Sequence, residues 1–292
     1  MPTPQDILKK IRHIELRTRK LVNTSFAGYY HSVFRGQGMN FEEVRRYTPG
    51  DEIRSIDWNV TARTNEPHVK VFTEERELTV MIMLDVSASG TFGSIEQSKR
   101  EVAAEIAAVL AFSAIHNNDK VGLLLFSDQV ELYMPPRKGR QHALRLIREM
   151  LYFEPRGRKT DISGALNHLN HILTRRSVVF LISDFLAPDF KQALTPAAQR
   201  HDLVAVQITD PGEEILPNVG LVSLEDAETG QTIEIDTRRQ SVRAGFLKLA
   251  KERRKALERL LASQRVDVVP LSTDDDPIPA LRKFFETREL RH

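Results

Sequence analysis

A run of apolar residues that ends at an aspartate constrains this chain more than any other feature. Residues 78–90 read LTVMIMLDVSASG, so a nearly continuous apolar segment leads directly to Asp85, Ser87 and Ser89. Such runs of Val, Ile, Leu and Met are typical of a central strand in a parallel sheet that helices cover on both faces. The run is too short to span a bilayer. We therefore predict an α/β fold with this strand near the centre of its sheet.

The polar residues after this strand indicate a kind of ligand. Asp85, Ser87 and Ser89 occupy every second position, which places three oxygen-bearing side chains on one side of the turn into a helix. Hard oxygen ligands suit Mg²⁺ and similar divalent cations. Asp and Ser are also common as turn formers and helix caps, so this pattern alone leaves both interpretations open.

Two later segments extend the pattern. In RGRKTDISGAL, Thr160 follows a glycine-containing loop and precedes a helix pattern, and in SVVFLISDF, Asp184 ends a second buried-strand run. In this order the five residues resemble the metal-ion-dependent adhesion site of von Willebrand factor A domains. The resemblance implies a site for Mg²⁺, or for Mn²⁺ or Ca²⁺, with the ligands Asp85, Ser87, Ser89, Thr160 and Asp184.

Composition and charge exclude several classes of protein. The chain has 292 residues, of which 41% are hydrophobic and 28% charged, so a globular protein with a sizeable core is expected. The net charge of +2 gives no general attraction to nucleic acid. The absence of cysteine excludes disulfides and thiolate metal sites. Neither a signal peptide nor an apolar stretch long enough for a membrane helix is found, so we expect a cytoplasmic protein.

The order of strand and helix patterns predicts the topology. Strands are expected at residues 78–84, 120–126, 130–134, 178–183, 203–208 and 266–271, and helices at residues 95–116, 142–152, 162–173, 188–201, 241–263 and 280–287. This alternation predicts a doubly wound, mostly parallel sheet. The short link at residues 127–129 forces an antiparallel edge hairpin, whose second strand Pro135 and Pro136 should end. A further hairpin at residues 220–237 interrupts the last crossover.

The sheet should bring the candidate ligands together. In doubly wound sheets, ligands bind beyond the carboxyl ends of the strands, where the strand order reverses. If the strands that end at Asp85 and Asp184 are neighbours, and the later chain winds the opposite way, both carboxylates fall in that crevice. Residues 77–292 are therefore predicted to form a von Willebrand A-like domain.

Residues 1–76 are expected to form an amphipathic helix, at residues 4–22, followed by a small turn-rich subdomain with a strand at residues 69–72. Trp58 is either the apolar anchor of this subdomain or part of a docking surface, since Trp and Arg are common at binding hot spots. The docking surface would comprise Arg45, Arg46, Arg54, Asp57, Trp58 and Arg63.

A second basic group surrounds the candidate metal site. Arg158 and Lys159 stand beside Thr160 in the sequence, and we expect Arg137, Lys138 and Arg140 on the same rim. Such a rim favours an acidic partner surface.

A longer segment carries a wider resemblance. The sequence RGQGMNFEEVRRYTPGDEIRSIDWNVTARTNEPHVKVFTEERELTVMIMLDVSAS is similar to the signature of a bacterial domain-of-unknown-function family with a von Willebrand A-like domain. The resemblance extends from about Leu21 onward and implies association with MoxR-type AAA+ ATPases and with other von Willebrand A-containing proteins. It indicates a non-enzymatic, metal-dependent scaffold for the assembly or maturation of protein complexes. One departure is Phe185, where many von Willebrand A domains have glycine after the aspartate.

The alternative is an enzyme with Asp85 as the nucleophile of a phosphoryl-transfer site. Haloacid-dehalogenase-like phosphatases also place an aspartate at the end of a central strand, but they need a second carboxylate two residues later, where this chain has Ser87. The chain also contains no G-x-x-x-x-G-K-[ST] phosphate loop and no G-x-S-x-G elbow. We therefore expect a protein without catalytic activity.

Overall fold

The computed structural model describes Val33 and residues 38–75, 77–94, 97–187 and 189–291. The chain divides into two compact units, one of Phe34–Leu78 and one that contains residues 79–292. The helix that we predict at residues 4–22 lies outside the described residues.

The smaller unit is built on a two-stranded antiparallel sheet. It comprises β1 (Gly38–Arg46), a 3₁₀ turn (Ile53–Ser55), helix α1 (Trp58–Thr64) and β2 (His68–Glu75). The sequence Thr48-Pro49-Gly50-Asp51 is typical of a turn, and the structure contains this turn. Asp51 N donates to Thr48 O at 3.0 Å, and Gly50 adopts a φ of +113°. Only glycine takes that φ without strain. Strand β1 was not expected from the sequence.

The larger unit contains a six-stranded sheet and a separate hairpin. The strands are β3 (Thr79–Asp85), β4 (Lys120–Phe126), β5 (Val130–Arg137), β6 (Val178–Ser183), β7 (Asp202–Thr209), β8 (Leu221–Glu225), β9 (Thr232–Asp236) and β10 (Asp267–Ser272). The sheet order is β10-β7-β6-β3-β4-β5, and every neighbouring pair is parallel except β4 with β5. Strands β8 and β9 pair antiparallel with each other. The predicted α/β fold with a mostly parallel sheet is confirmed.

Helices connect the parallel strands. They are α2 (Lys99–His116), α3 (Arg140–Tyr152), α4 (Ile162–Ile172), α5 (Lys191–Arg200), α6 (Pro211–Glu214), α7 (Gln240–Ser263) and α8 (Pro277–Glu289). Helix α2 begins where Ser98 and Glu101 form a reciprocal capping box, and most of its circumference is buried, as its apolar composition predicts. Among the described helices, none combines the length and the hydropathy that crossing a membrane requires.

Strand β5 corrects two expectations. It continues through Pro135 and Pro136 to Arg137, because β5 is the outermost strand and tolerates residues that lack an N–H. Its antiparallel direction brings Arg137 opposite Val121, at the start of β4. Asp85 instead lies opposite Phe126, at the end of β4. Arg137, followed by Lys138 and Arg140, therefore lies at the amino-terminal end of β4, whereas Asp85 lies at its carboxyl end.

The apolar face of α7 also differs from the prediction. We expect Val242, Phe246, Leu249, Ala256 and Leu260 to point inward, but Leu249 is 60% exposed and Ala256 is exposed. The buried residues of this helix are Ala250 and Leu261, which lie one position later along the helical stripe.

The strand order creates a switch point between β3 and β6. From β3 the chain continues to β4 and β5 on one side of the sheet, and β6, β7 and β10 then fill the other side. Parallel pairing sets Leu84 opposite Ile182, so the two strands end at the same edge. The crevice expected at this edge is therefore present.

Candidate metal centre

Two neighbouring strand ends position the first carboxylate. Asp85 is the last residue of β3, and Ser183 is the last residue of β6. Ser183 Oγ donates to Asp85 Oδ2 at 2.7 Å, and Ser87 N donates to Asp85 Oδ1 at 3.0 Å. Asp85 is thus held by one hydrogen bond from the loop after β3 and by another from the end of β6.

Three hydroxyl groups lie in a connected row beside this carboxylate. Ser87 Oγ is 3.0 Å from Ser89 Oγ and 2.9 Å from Thr160 Oγ1. An octahedral Mg²⁺ with ligands at about 2.1 Å separates adjacent ligands by about 3 Å. The spacing of these hydroxyls matches that separation.

The centre is largely enclosed. The exposed fractions of Ser87, Thr160, Asp85 and Asp184 are 1%, 6%, 8% and 8%. A pocket of about 20 Å³ lies among Asp85, Ser89, Asp184 and their neighbours. That volume accommodates one water molecule or one small ion.

Glu131 of β5 positions the loop that carries Thr160, a role that the sequence did not indicate. Its Oε1 accepts hydrogen bonds from Arg156 N at 3.0 Å and Gly157 N at 2.8 Å. A β-carbon at Gly157 would overlap the side chains of Asp128 and Ser127, just after β4, so a larger residue there would have to displace them.

Lys99 is the second residue that the sequence interpretation missed. It lies in the first turn of α2, is 3% exposed, and its Nζ donates to Asp184 Oδ2 at 2.6 Å and to Glu213 Oε1 at 2.5 Å. Burial alone would lower the pKa of Lys99, but the charges of Asp184 and Glu213 raise it above its usual value. The signal in the sequence was weak, because Lys99 is followed directly by two further charged residues, Arg100 and Glu101.

The centre carries excess negative charge. Asp85, Asp184 and Glu213 contribute three formal negative charges and Lys99 one positive charge, which leaves −2. Burial, with repulsion from Asp184, raises the pKa of Asp85 to about 6. A divalent cation would balance this charge.

The donor set fits a hard cation. Among the described residues, no three His, Cys, Asp or Glu side chains are grouped so that they could hold a metal ion by themselves. A metal here would need the hydroxyls as well as the carboxylates, and every donor is oxygen, which suits Mg²⁺. Hydrogen bonds link four of the five predicted ligands, namely Asp85, Ser87, Ser89 and Thr160, and Asp184 lines the same small pocket as Asp85 and Ser89.

In the loop after β6, the residue that follows Asp184 adopts a left-handed backbone conformation although it is not glycine. Phe185 has a φ of +58°, the left-handed region, and its N–H donates to Ser183 Oγ at 3.0 Å. Its ring is 6% exposed and lies 5.9 Å from the ring of Phe190. Packing of this ring therefore holds the strained backbone beside Asp184.

Three of the six residues of the predicted docking surface in the smaller unit form ion pairs within that unit. Arg45 forms a bidentate pair with Asp51 at 2.8 and 2.6 Å, and Arg46 pairs with Glu66 at 3.0 Å. Asp57 accepts hydrogen bonds from the first turn of α1 and lies 3.5 Å from Lys70 Nζ.

Five of the six residues of that surface are exposed, namely Arg45, Arg46, Arg54, Trp58 and Arg63, whereas Asp57 is buried. Trp58 is 67% exposed, so its interpretation as an apolar anchor is wrong.

The basic residues beside Thr160 face the β8–β9 hairpin. Arg158 Nη2 donates to Ala227 O at 3.0 Å. The pKa of Asp226 is lowered, chiefly by a hydrogen bond from Thr229, and the charge of Lys159 contributes. Glu228, which the sequence did not single out, accepts a hydrogen bond from Thr160 Oγ1 at 2.7 Å.

The larger unit has a mostly parallel, doubly wound sheet with oxygen-bearing side chains at its switch point, which agrees with the α/β fold that the resemblance to von Willebrand A domains implies. The sequence family described as "Protein of unknown function DUF58" matches residues 43–256, and the chain belongs to this family.

Relatives and solved structures resemble the chain over most of its length. The uncharacterized protein Rv1480 of Mycobacterium tuberculosis is 32% identical over 281 residues, which cover 95% of this chain and 88% of the relative. The conserved hypothetical protein BatB from Bacteroides thetaiotaomicron is 17% identical with a TM-score of 0.47, over 74% of this chain and 100% of that one. The VWA domain of SpRpn10 is 14% identical with a TM-score of 0.38, over 70% and 94%.

The buried ion pair of Lys99 predicts a large loss of stability on its removal. Lys99→Met should lower the free energy of unfolding by about 3–5 kcal/mol, because it leaves buried carboxylates without their cation. Lys191→Met, at an exposed position in the first turn of α5, is the matched control. Urea unfolding without divalent metal measures both, and equal midpoints would contradict the structural role of the pair.

The strained backbone at Phe185 predicts the sign of a glycine substitution. Phe185→Gly relieves about 1–2 kcal/mol of left-handed strain but removes an aromatic side chain whose burial is worth about 3–5 kcal/mol. The free energy of unfolding should therefore fall by about 1–4 kcal/mol. Urea unfolding of the two proteins measures it, and a more stable glycine variant would show that strain outweighs packing in this loop.

Proposed function

We propose that this protein is a non-enzymatic, metal-dependent protein-binding module that acts with a MoxR-type AAA+ ATPase in the assembly or maturation of protein complexes. The convergence of two carboxylates and three hydroxyls at the switch point of the sheet carries the proposal. The ligands of the proposed metal site are Asp85, Ser87, Ser89, Thr160 and Asp184.

A cation bound at this centre would supply an electrophilic position for an external carboxylate. The hydroxyls of Ser87, Ser89 and Thr160 are neutral, and Lys99 already neutralises part of the charge of Asp184. An octahedral cation takes six ligands, so the five candidate residues leave one coordination position open. A partner Asp or Glu would complete the coordination through a charge-assisted contact.

The resemblance of the sequence supplies the identity of the partner, and the smaller unit supplies a competing docking surface. Arg54, Trp58 and Arg63 are exposed there. An exposed Trp beside Arg side chains is the composition of a binding hot spot. The two surfaces make different predictions about metal dependence.

No observation favours the phosphoryl-transfer alternative. Both oxygens of Asp85 accept hydrogen bonds, from Ser87 N and Ser183 Oγ, and the side chain is 8% exposed. A carboxylate that is enclosed in this way is poorly accessible to a phosphoryl group. The position for a general acid two residues later remains Ser87.

Metal should stabilise the chain through the five candidate ligands. A ligand at 100 times its Kd adds about 2.7 kcal/mol, and a chain of this size gains about 2–4 °C per kcal/mol. Adding Mg²⁺ or Mn²⁺ to the metal-free protein should therefore raise Tm by several degrees. Asp85→Ala should abolish the shift, and Asp274→Ala, at an exposed position after β10, should keep it. A shift of the same size in Asp85→Ala would place the metal elsewhere.

Metal should also strengthen binding of the ATPase. Calorimetric titration of the purified pair in Mg²⁺ and in chelator compares the two affinities directly. Ser89→Ala should weaken the Mg²⁺-dependent affinity, because it removes a candidate ligand without disturbing the ion pair of Lys99.

Trp58→Ala and Arg54→Ala serve as the comparison for the smaller unit. Equal affinities in Mg²⁺ and chelator, together with a loss of binding in Trp58→Ala, would assign the interface to the smaller unit instead of the metal centre.

A further inference from the structure

The tip of the β8–β9 hairpin extends a carboxylate to the candidate metal centre. Glu228 lies in the turn between the two strands, and Thr160 Oγ1 donates to its Oε1 at 2.7 Å. A carboxylate accepts hydrogen bonds only, and a threonine hydroxyl has one hydrogen. Thr160 Oγ1 also lies 2.9 Å from Ser87 Oγ, so Thr160 links Glu228 to the row of hydroxyls.

The carboxylate of Glu228 extends the row of hydroxyls formed by Ser89, Ser87 and Thr160 at a similar spacing. Glu228 Oε1 is 2.7 Å from Thr160 Oγ1, close to the 2.9 and 3.0 Å that separate the hydroxyls from one another. Adjacent ligands of an octahedral cation are about 3 Å apart. We propose that Glu228 is a further ligand of this metal centre, supplied in cis by the hairpin, and that it occupies the position that a partner's carboxylate would take. This inference rests on the proposed function.

The turn is organised to present Glu228. Asp226 Oδ1 accepts hydrogen bonds from Glu228 N at 2.9 Å and from Thr229 N at 3.3 Å. Gly230 N donates to Asp226 O at 2.7 Å, and Gly230 has a φ of +71°, which suits glycine. These contacts fix the backbone on both sides of Glu228.

The basic residues beside the centre contact the hairpin in the way that they would contact an acidic partner. Arg158 donates to the carbonyl of Ala227, and the charge of Lys159 acts on Asp226. The turn thus combines acidic side chains with a backbone acceptor against a basic rim. The turn therefore offers the basic residues the same groups that an acidic peptide of a partner would offer, namely carboxylates and a backbone carbonyl.

The hairpin can leave the centre without breaking the main sheet. Among the described strands, β8 and β9 pair only with each other, and a two-stranded hairpin contributes little stability by itself. Leu221 and Ile233 are 64% and 59% exposed, so little apolar packing holds it. Displacement of Glu228 by an external carboxylate therefore costs mainly the contacts at the tip.

Water proton relaxation of the Mn²⁺-loaded protein tests the ligand directly, because it reports the exchangeable waters on the ion. Glu228→Ala should add one such water and raise the relaxivity per bound Mn²⁺. It should also weaken Mn²⁺ binding by at least about tenfold, the loss typical of removing a supporting group at a metal site. Glu225→Ala, an exposed carboxylate on the same hairpin, is the matched control and should change neither value.

Acetate provides a second comparison. It should lower the relaxivity of the Glu228→Ala complex, because a free carboxylate enters the vacated position, and leave the wild type unchanged. The same response in both proteins would overturn the assignment of that position to Glu228.

The possible failures are distinguishable. Unchanged relaxivity in Glu228→Ala at saturating Mn²⁺ overturns this inference alone, as long as Asp85→Asn or Ser89→Ala loses Mn²⁺ affinity. If Asp85→Asn and Ser89→Ala both bind Mn²⁺ as tightly as the wild type, the metal centre of the proposed function is wrong, and this inference with it.

Discussion

Parallel pairing of β3 with β6 is the constraint on which the candidate centre depends. It brings the ends of two strands that are about a hundred positions apart in the sequence to one edge, and it forces two carboxylates into a crevice with little solvent. Burial, and then repulsion from Asp184, raise the pKa of Asp85 there. Lys99 reaches the same point from the start of α2 and stabilises Asp184. The lysine and the site therefore form one electrostatic unit, in which a divalent cation would supply the remaining positive charge.

The hairpin changes how such a centre is understood. A surface site would present its hydroxyls to solvent, yet Ser87 and Thr160 are almost completely buried and Glu228 hydrogen-bonds to Thr160. If Glu228 occupies the external position, the affinity for a partner is the difference between two carboxylates that compete for one ion. A partner then binds more weakly than it would bind to a centre without Glu228. Acidic ligands of low affinity are excluded, because they cannot displace Glu228.

The smaller unit illustrates the limits of reading charge from sequence. Arg45 and Arg46 were expected to form part of a docking surface, but both are paired with carboxylates of the same unit. Trp58, by contrast, is exposed instead of anchoring a core. Local ion pairs consume charges that are adjacent in space, and composition alone does not reveal which charges these are.

The sequence by itself determined the elements that depend on local pattern and short connections. Strands 120–126 and 178–183, the antiparallel β4–β5 pair and the position of the inserted hairpin all follow from periodicity, turn residues and link length. Only the tertiary structure decided the features that depend on neighbours. β5 tolerates Pro135 and Pro136 because it is an edge strand, and Lys99, Glu131 and Glu228 join the centre from distant segments. A lone lysine or glutamate acquires its role from the charges and donors that packing sets beside it, and those partners are not its neighbours in the chain.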